Sequence, residues 1–184
     1  VRRVRRCRSI DDIVVATSDS PLDDQIELWA KREGVPCFRG SENDVLDRVL
    51  RAQQSMGSEI VVELCGDCPL IEAAVIDAAL DCFFETSADV VTTARKPSFP
   101  DGIDVEVFAL SSLQWVAKNV KDPHVREHVS SYFYQNSDKY RLVDLEAPTE
   151  WRSPDIRLLL DYPEDLLFLQ RVFDHFLGNG VVHP

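Results

Sequence analysis

The chain has 184 residues, 45% of them hydrophobic and 28% charged, with a formal net charge of −12. That is enough chain for one sizeable core and too much apolar content for disorder. The acidic surface excludes nucleic acid and anionic membrane as expected partners, and no apolar run approaches the ~20 residues of a membrane helix.

The first eight residues carry five arginines, at 2, 3, 5, 6 and 8, with Val1, Val4 and Cys7 between them. The spacing predicts the last turns of an amphipathic helix with no cap signal ahead of it. No apolar segment follows, so no signal peptide is expected. Five scattered cysteines, mostly in apolar settings, fit reduced thiols and a cytoplasmic location.

Residues 13–16 read as a buried strand. Residues 23–33 read as a helix stopped by Gly34, and 35–39 as a second strand. Ser41-x-x-Asp44 has the form of a capping box for a helix over 42–55, which Gly57 ends. Ile60 to Leu64 reads as a strand closed by Gly66-Asp67, with a helix from about Glu72 to Glu85. Strands are expected over 89–93 and, by strict alternation, over 103–109, with a turn-rich loop at 96–102 between them. Residues 111–119, with Ser111 as a possible cap, and 125–136 read as helices. Residues 140–145 and 156–160 read as strands, and a final helix runs from Pro163 through Phe176 to a stop at Gly178. Strands alternating with helices predict a three-layer α/β domain with a mostly parallel sheet, one domain over 1–184.

In such sheets ligands gather beyond the carboxyl ends of strands. Asp67 and Asp161 both follow an apolar run and precede a proline and a helix. Each can cap its helix. Together they can also hold Mg²⁺, which binds through one or two carboxylates plus substrate phosphates. Cys65-x-x-Cys68 has redox or zinc spacing, but no second ligand pair exists and Cys65 reads as buried at a strand end. His124-x-x-x-His128 puts two imidazoles on one helical face without a further zinc ligand, so a polar face or an anion contact is the better reading. No Gly-x-Gly-x-x-Gly, Walker loop or Gly-x-Ser-x-Gly is present.

Six motifs stand in one order: 14–19 (Val-Val-Ala-Thr-Ser-Asp), 38–48 (from Phe38-Arg39-Gly40-Ser41-Glu42 to Arg48), Gly66-Asp67-Cys68-Pro69-Leu70-Ile71, 99–108 (from Phe99-Pro100-Asp101-Gly102 to Phe108), Arg126-Glu127-His128-Val129 and 161–166 (from Asp161-Tyr162-Pro163-Glu164). Together they resemble the cytidylyltransferases that include spore coat polysaccharide biosynthesis protein F, and more distantly CMP-Kdo synthetase and acylneuraminate cytidylyltransferase. The resemblance implies a Rossmann-like nucleotide-diphosphosugar transferase fold. It also implies transfer of CMP from CTP to a hydroxyl of an acidic, 2-keto acid type sugar, with pyrophosphate release, for surface polysaccharide biosynthesis. By matching position, Asp67 and Asp161 are the catalytic and Mg²⁺-holding residues. Ser18, Gly40, Ser41, Glu42 and Gly66 lie on the nucleotide side, and Asp101, Asp104, Glu106, Arg126 and His128 on the sugar side. Relatives are commonly homodimers, so a homodimer is possible here.

The resemblance also implies a first strand and a basic glycine-containing loop upstream, neither of which is in this sequence. Glu63 stands where relatives often carry a basic residue. Those departures motivate a second expectation, a non-catalytic sugar- or partner-binding subunit. A glycosyltransferase is a third, and it lacks the second acid of an Asp-x-Asp metal motif.

Overall fold

The computed structural model describes residues 1–178. The first two strands, β1 (Val15–Ser18) and β2 (Cys37–Gly40), pair in parallel across a crossover helix, α1 (Asp24–Glu33). Gly34, at φ 65°, ends α1 and returns its N–H to Ala30 and Lys31, as only a residue tolerant of left-handed backbone does readily. Helix α2 (Val45–Met56) starts later than the sequence suggests. Ser41 Oγ accepts only the Asp44 N–H (3.2 Å), and Asp44 is the true cap, accepting the Asp47 N–H at 3.0 Å.

The larger sheet has the order β3 (Ile60–Glu63), β5 (Glu106–Ala109), β4 (Val90–Thr92), β6 (Leu142–Asp144). β4 and β6 are parallel, while β5 runs antiparallel to both its neighbours. The sheet is therefore mixed, with β5 alone running against β3, β4 and β6. No helix separates β4 from β5, and a strand that returns without a helical crossover does so most readily antiparallel.

Alternation along the strands feeds two cores, one on each face. Val91, Val105 and Val107 pack with Val75, Ile76, Ala79 and Leu80 of α3 (Ala73–Thr86). Val61, Val90 and Phe108 pack on the other face with α2, with α4 (Leu110–Asn119), and with α5 (Pro123–Glu127) and α6 (Ser131–Gln135). Helices on both sides of a sheet give the three layers. No helix among the described residues is long and apolar enough to cross a membrane.

Four local expectations change. Residues 4–6 form a single 3₁₀ turn, and Asp77, buried on α3, accepts the Arg8 and Ser9 N–H groups just beyond it. Ser111 lies inside the first turn of α4 and caps nothing. The helix expected over 125–136 is two helices, because His128 turns extended (φ −111°, ψ 95°). Residues 156–160 make no strand, only one bridge between Asp101 and Arg157. The segment is extended, but it is laid over loops rather than along a strand edge. Its partners are Asp101, whose N–H donates to the Ile156 carbonyl and whose carbonyl accepts the Leu158 N–H, both at 2.8 Å. The final helix, α7, is Pro163–Gly178, and residues 179–184 lie outside the described residues.

Gly102 makes this lamination possible. It sits at φ 96°, and a Cβ there would stand 3.0 Å from the Leu158 carbonyl carbon. Gly102→Ala combines forbidden backbone with a backbone clash. It is expected to cost about 2 kcal/mol or more, read as a lower urea midpoint at unchanged slope.

Candidate active site at the carboxyl end of the sheet

The carboxyl ends of β3, β4 and β6 meet the amino end of β5. The register there sets Glu63 opposite Glu106, Glu106 opposite Thr92, and Thr92 opposite Asp144. The loop after β3 carries Asp67. The 156–160 segment returns to that loop, and the Leu160 N–H donates to the Asp67 carbonyl at 2.9 Å. One backbone bond therefore brings Asp67 next to the residue before Asp161, across more than ninety positions of chain.

The two carboxylates are held differently. Asp67 is half-buried, and its Oδ1 accepts a weak contact from the Cys68 thiol (3.5 Å). No salt bridge reaches it among the described residues. Asp161 pairs with Arg157, whose other nitrogen holds Asp165 at 2.6 Å. In the first turn of α7, Asp165 reaches back to the entering chain: its Oδ2 accepts the N–H groups of Asp161 (2.9 Å) and Tyr162 (2.8 Å). The Arg157 bond first, then those two N–H bonds, lower the Asp165 carboxyl to about 2.

Behind this pair lies an acidic floor. Glu106 accepts hydrogen bonds from Ser130 Oγ (2.5 Å) and from the Tyr134 hydroxyl, which also meets Thr92 Oγ1 at 2.8 Å. Burial, then Glu106, push the Tyr134 hydroxyl up. Glu63 has no such support: its Oε2 is sealed from solvent without a partner. Burial first and Glu106 second raise its carboxyl well above the usual range. Burial raises Asp104 against a bond from the Gly102 N–H, and Asp101, Glu106 and Asp67 add to the rise.

That state of Glu63 makes a signed prediction. Its folded pKa exceeds the unfolded value near ~4.3, so the folded chain holds the extra proton and loses stability as pH rises through the folded pKa. Glu63→Gln is expected to melt above the natural chain at pH 8, with the gain vanishing near pH 4.

Cys65 proves exposed and Cys68 buried, the reverse of the sequence reading for Cys65. Partial burial of the Cys65 thiol, then Glu63, Asp67, Glu106 and Asp104, push it up to about 12. That suits a protonated thiol rather than a redox nucleophile.

The residues expected on the nucleotide side lie at the ends of β1 and β2 and in the loops. Ser18 is buried and donates to Asp23 Oδ2 at 2.6 Å. Gly40 packs so tightly that a Cβ would stand 3.1 Å from the Phe38 ring and 3.2 Å from Arg48. Ser41 and Glu42 are exposed, with the Ser41 carbonyl accepting Arg48 Nη1 at 2.6 Å. Gly66 is exposed with open space where a side chain would be.

Of the residues expected on the sugar side, Asp104 and Glu106 join the floor, and Asp101 lies exposed in the loop before it. Arg126 does not join them: its guanidinium pairs with Asp44 and donates to the Ala117 carbonyl at 3.0 Å. His128 is exposed, its ring 4.6 Å from that of His124. No group of three side chains that could hold a metal ion converges among the described residues, so the histidine pair lacks a third ligand. Sequence reasoning missed Ser130, Tyr134 and Arg157. Ser130 and Tyr134 are four residues apart, a helical spacing facing Glu106, and that was their one legible signal.

A cytidylyltransferase family model matches residues 1–177. The chain is 31% identical over 170 residues to spore coat polysaccharide biosynthesis protein SpsF of Bacillus subtilis, covering 90% of this chain and 70% of that protein. It is 30% identical over 117 residues to the 3-deoxy-manno-octulosonate cytidylyltransferase of Nitratidesulfovibrio vulgaris (strain DP4), covering 58% of this chain and 45% of that enzyme. The solved structure of a cytidylyltransferase from Leptospira borgpetersenii superposes with a TM-score of 0.88 at 33% identity, covering 95% of this chain and 74% of that one.

Proposed function

Because the chain belongs to the cytidylyltransferase family, we propose that it transfers CMP from CTP to a hydroxyl of an acidic sugar, in the making of a surface polysaccharide. The acceptor oxygen loses its proton to water and forms a bond to the α-phosphorus of CTP. The bond from that phosphorus to the bridging oxygen breaks, and pyrophosphate leaves. The name of the N. vulgaris relative supports a sugar acid as acceptor, and that of SpsF supports the polysaccharide.

The observation that carries this reading is the Leu160–Asp67 bond, which gathers two distant acids beside the strand ends. Two carboxylates, completed by substrate phosphates and waters, are a set that suits Mg²⁺. Asp67 and Asp161 would hold it, Asp161 exchanging Arg157 for the metal. When bound, Mg²⁺ supplies charge neutralisation at the α-phosphate. The chain's own residues position the acceptor: Asp101, Asp104 and Glu106 offer carboxylate oxygens to sugar hydroxyls, and Ser130 and Tyr134 fix Glu106.

A second reading has its own support. The cations nearest the floor are engaged, Arg95 and Lys96 with Asp144 and Arg157 with Asp161 and Asp165. With those pairs intact, none of these three side chains is free to meet a triphosphate, as suits a non-catalytic sugar- or partner-binding subunit. Calorimetry with CTP and Mg²⁺, followed by a pyrophosphate-release assay with 3-deoxy-manno-octulosonate, separates the two. Affinity and release support the transferase; a folded chain with no CTP affinity supports the subunit.

A further inference from the structure

Arg157 bridges two carboxylates at the start of α7. Its Nη2 pairs with Asp161, and its Nη1 meets Asp165 Oδ1 at 2.6 Å. The two ends of this bridge are not equally firm. The Asp165 side chain is 18% exposed, and its other oxygen is fixed by the N–H groups of Asp161 and Tyr162. The Asp161 side chain is 43% exposed, and Arg157 is the one group bonded to its carboxylate among the described residues. An exposed, unbraced ion pair is weak and exchanges readily.

The guanidinium is held in place without Asp161. The Arg157 backbone is clamped on both sides, since Asp101 bonds the Ile156 carbonyl and the Leu158 N–H. The guanidinium carbon lies 5.7 Å from the centroid of the Tyr162 ring, within cation–π range. With Asp165 these contacts keep a cation beside Asp161 when the Asp161 bond is broken.

A chain of net charge −12 needs a local cation to admit a polyanion. Arg126 is mostly buried against Asp44, and Arg95 and Lys96 converge on Asp144, itself mostly buried. Arg157 differs from these. Its weaker partner is the carboxylate that the transferase reading puts to another use, and the Leu160–Asp67 bond sets Asp67 close by. A guanidinium fork also matches phosphate oxygens in shape and charge.

We propose that Arg157 binds phosphate in the nucleotide site, leaving Asp161 for a phosphate oxygen while Asp165 keeps hold of its other nitrogen. The inference rests on the transferase reading above and supplies the cation that reading lacks. With the bridge closed, Arg157, Asp161 and Asp165 carry one net negative charge and repel phosphate. With Asp161 engaged elsewhere, Arg157 and Asp165 balance, and Nη2 is free to donate. Occupation of Asp161 and binding of phosphate at Arg157 therefore favour each other.

The test reads binding with neither metal nor turnover. Inorganic pyrophosphate is titrated into the full chain in EDTA, at pH 7 and one fixed salt concentration, by calorimetry. Asp161→Asn is expected to bind it about tenfold tighter than the natural chain, the scale of one freed charge-assisted hydrogen bond. Adding Arg157→Gln to Asp161→Asn is expected to abolish that gain, and adding Arg157→Lys to keep part of it. Glu164→Gln, which removes the same charge from an exposed neighbour, is expected to change little.

No gain in Asp161→Asn overturns the proposal. So does a gain that survives Arg157→Gln in a folded double variant, or an equal gain in Glu164→Gln. CTP titrated into the natural chain with Mg²⁺ keeps the two readings apart. CTP affinity without the Arg157-dependent gain sinks only the role of Arg157. The gain without CTP affinity upholds the phosphate site and sinks the transferase.

Discussion

Asp67→Asn is expected to slow pyrophosphate release about 100- to 1,000-fold, the usual cost of losing one aligned electrostatic stabiliser of a transition state. The substitution keeps shape and removes charge. The fold does not depend on that charge, because the bond holding the 156–160 segment uses the Asp67 backbone carbonyl. The variant should therefore melt within about 1 kcal/mol of the natural chain. Loss of release with an unchanged melt locates the effect in chemistry. Release unaltered by the substitution would remove Asp67 from the mechanism.

Arg126→Ala is expected to act in the opposite way, costing about 3 kcal/mol of stability with little change in acceptor affinity. The guanidinium is mostly buried, 14% exposed, and joins the Asp44 carboxylate on a residue that also caps α2. Removing it frees the Ala117 carbonyl and leaves Asp44 without its counter-charge. Chemical denaturation measures the first part. Asp44→Ala alone, and the double variant, measure the second, since residues sharing one ion pair should cost less together than their separate losses added. A stable Arg126→Ala with weakened sugar binding would return Arg126 to the acceptor side.

These contrasts show what sequence could reveal. Ile60 to Leu64, Val90 to Thr92 and the helix through Ile76 and Leu80 were legible because their apolar spacing is local and the cores reward it. The glycine stops at Gly34 and Gly57 were legible because left-handed backbone selects the residue.

The reversed direction of β5 was not legible, because alternation is the same in both directions. Nor was the break after Glu127, where the apolar pattern continues through Val129 and Phe133 although the backbone does not. Residues 156–160 look like a strand because they are extended. Their hydrogen bonds go to Asp101 and Asp67, partners no local pattern specifies.

The site divides similarly. Asp67, Asp161, Asp104 and Glu106 stand in ordered motifs and could be named. Their partners are not local in the same way: Tyr134 lies 28 positions from Glu106, and Arg126 is drawn off to Asp44, 82 positions away. Arg157 is four residues from Asp161, near enough to have been noticed as a competing partner.

The central claim is that Asp67 and Asp161 act on one cation in the presence of nucleotide. Electron paramagnetic resonance of Mn²⁺, standing in for Mg²⁺, addresses it directly, with the natural chain, Asp67→Asn and Asp161→Asn each titrated with CTP. The account predicts protein-bound Mn²⁺ when CTP is present, lost in both variants. Equal Mn²⁺ binding by all three chains would contradict it.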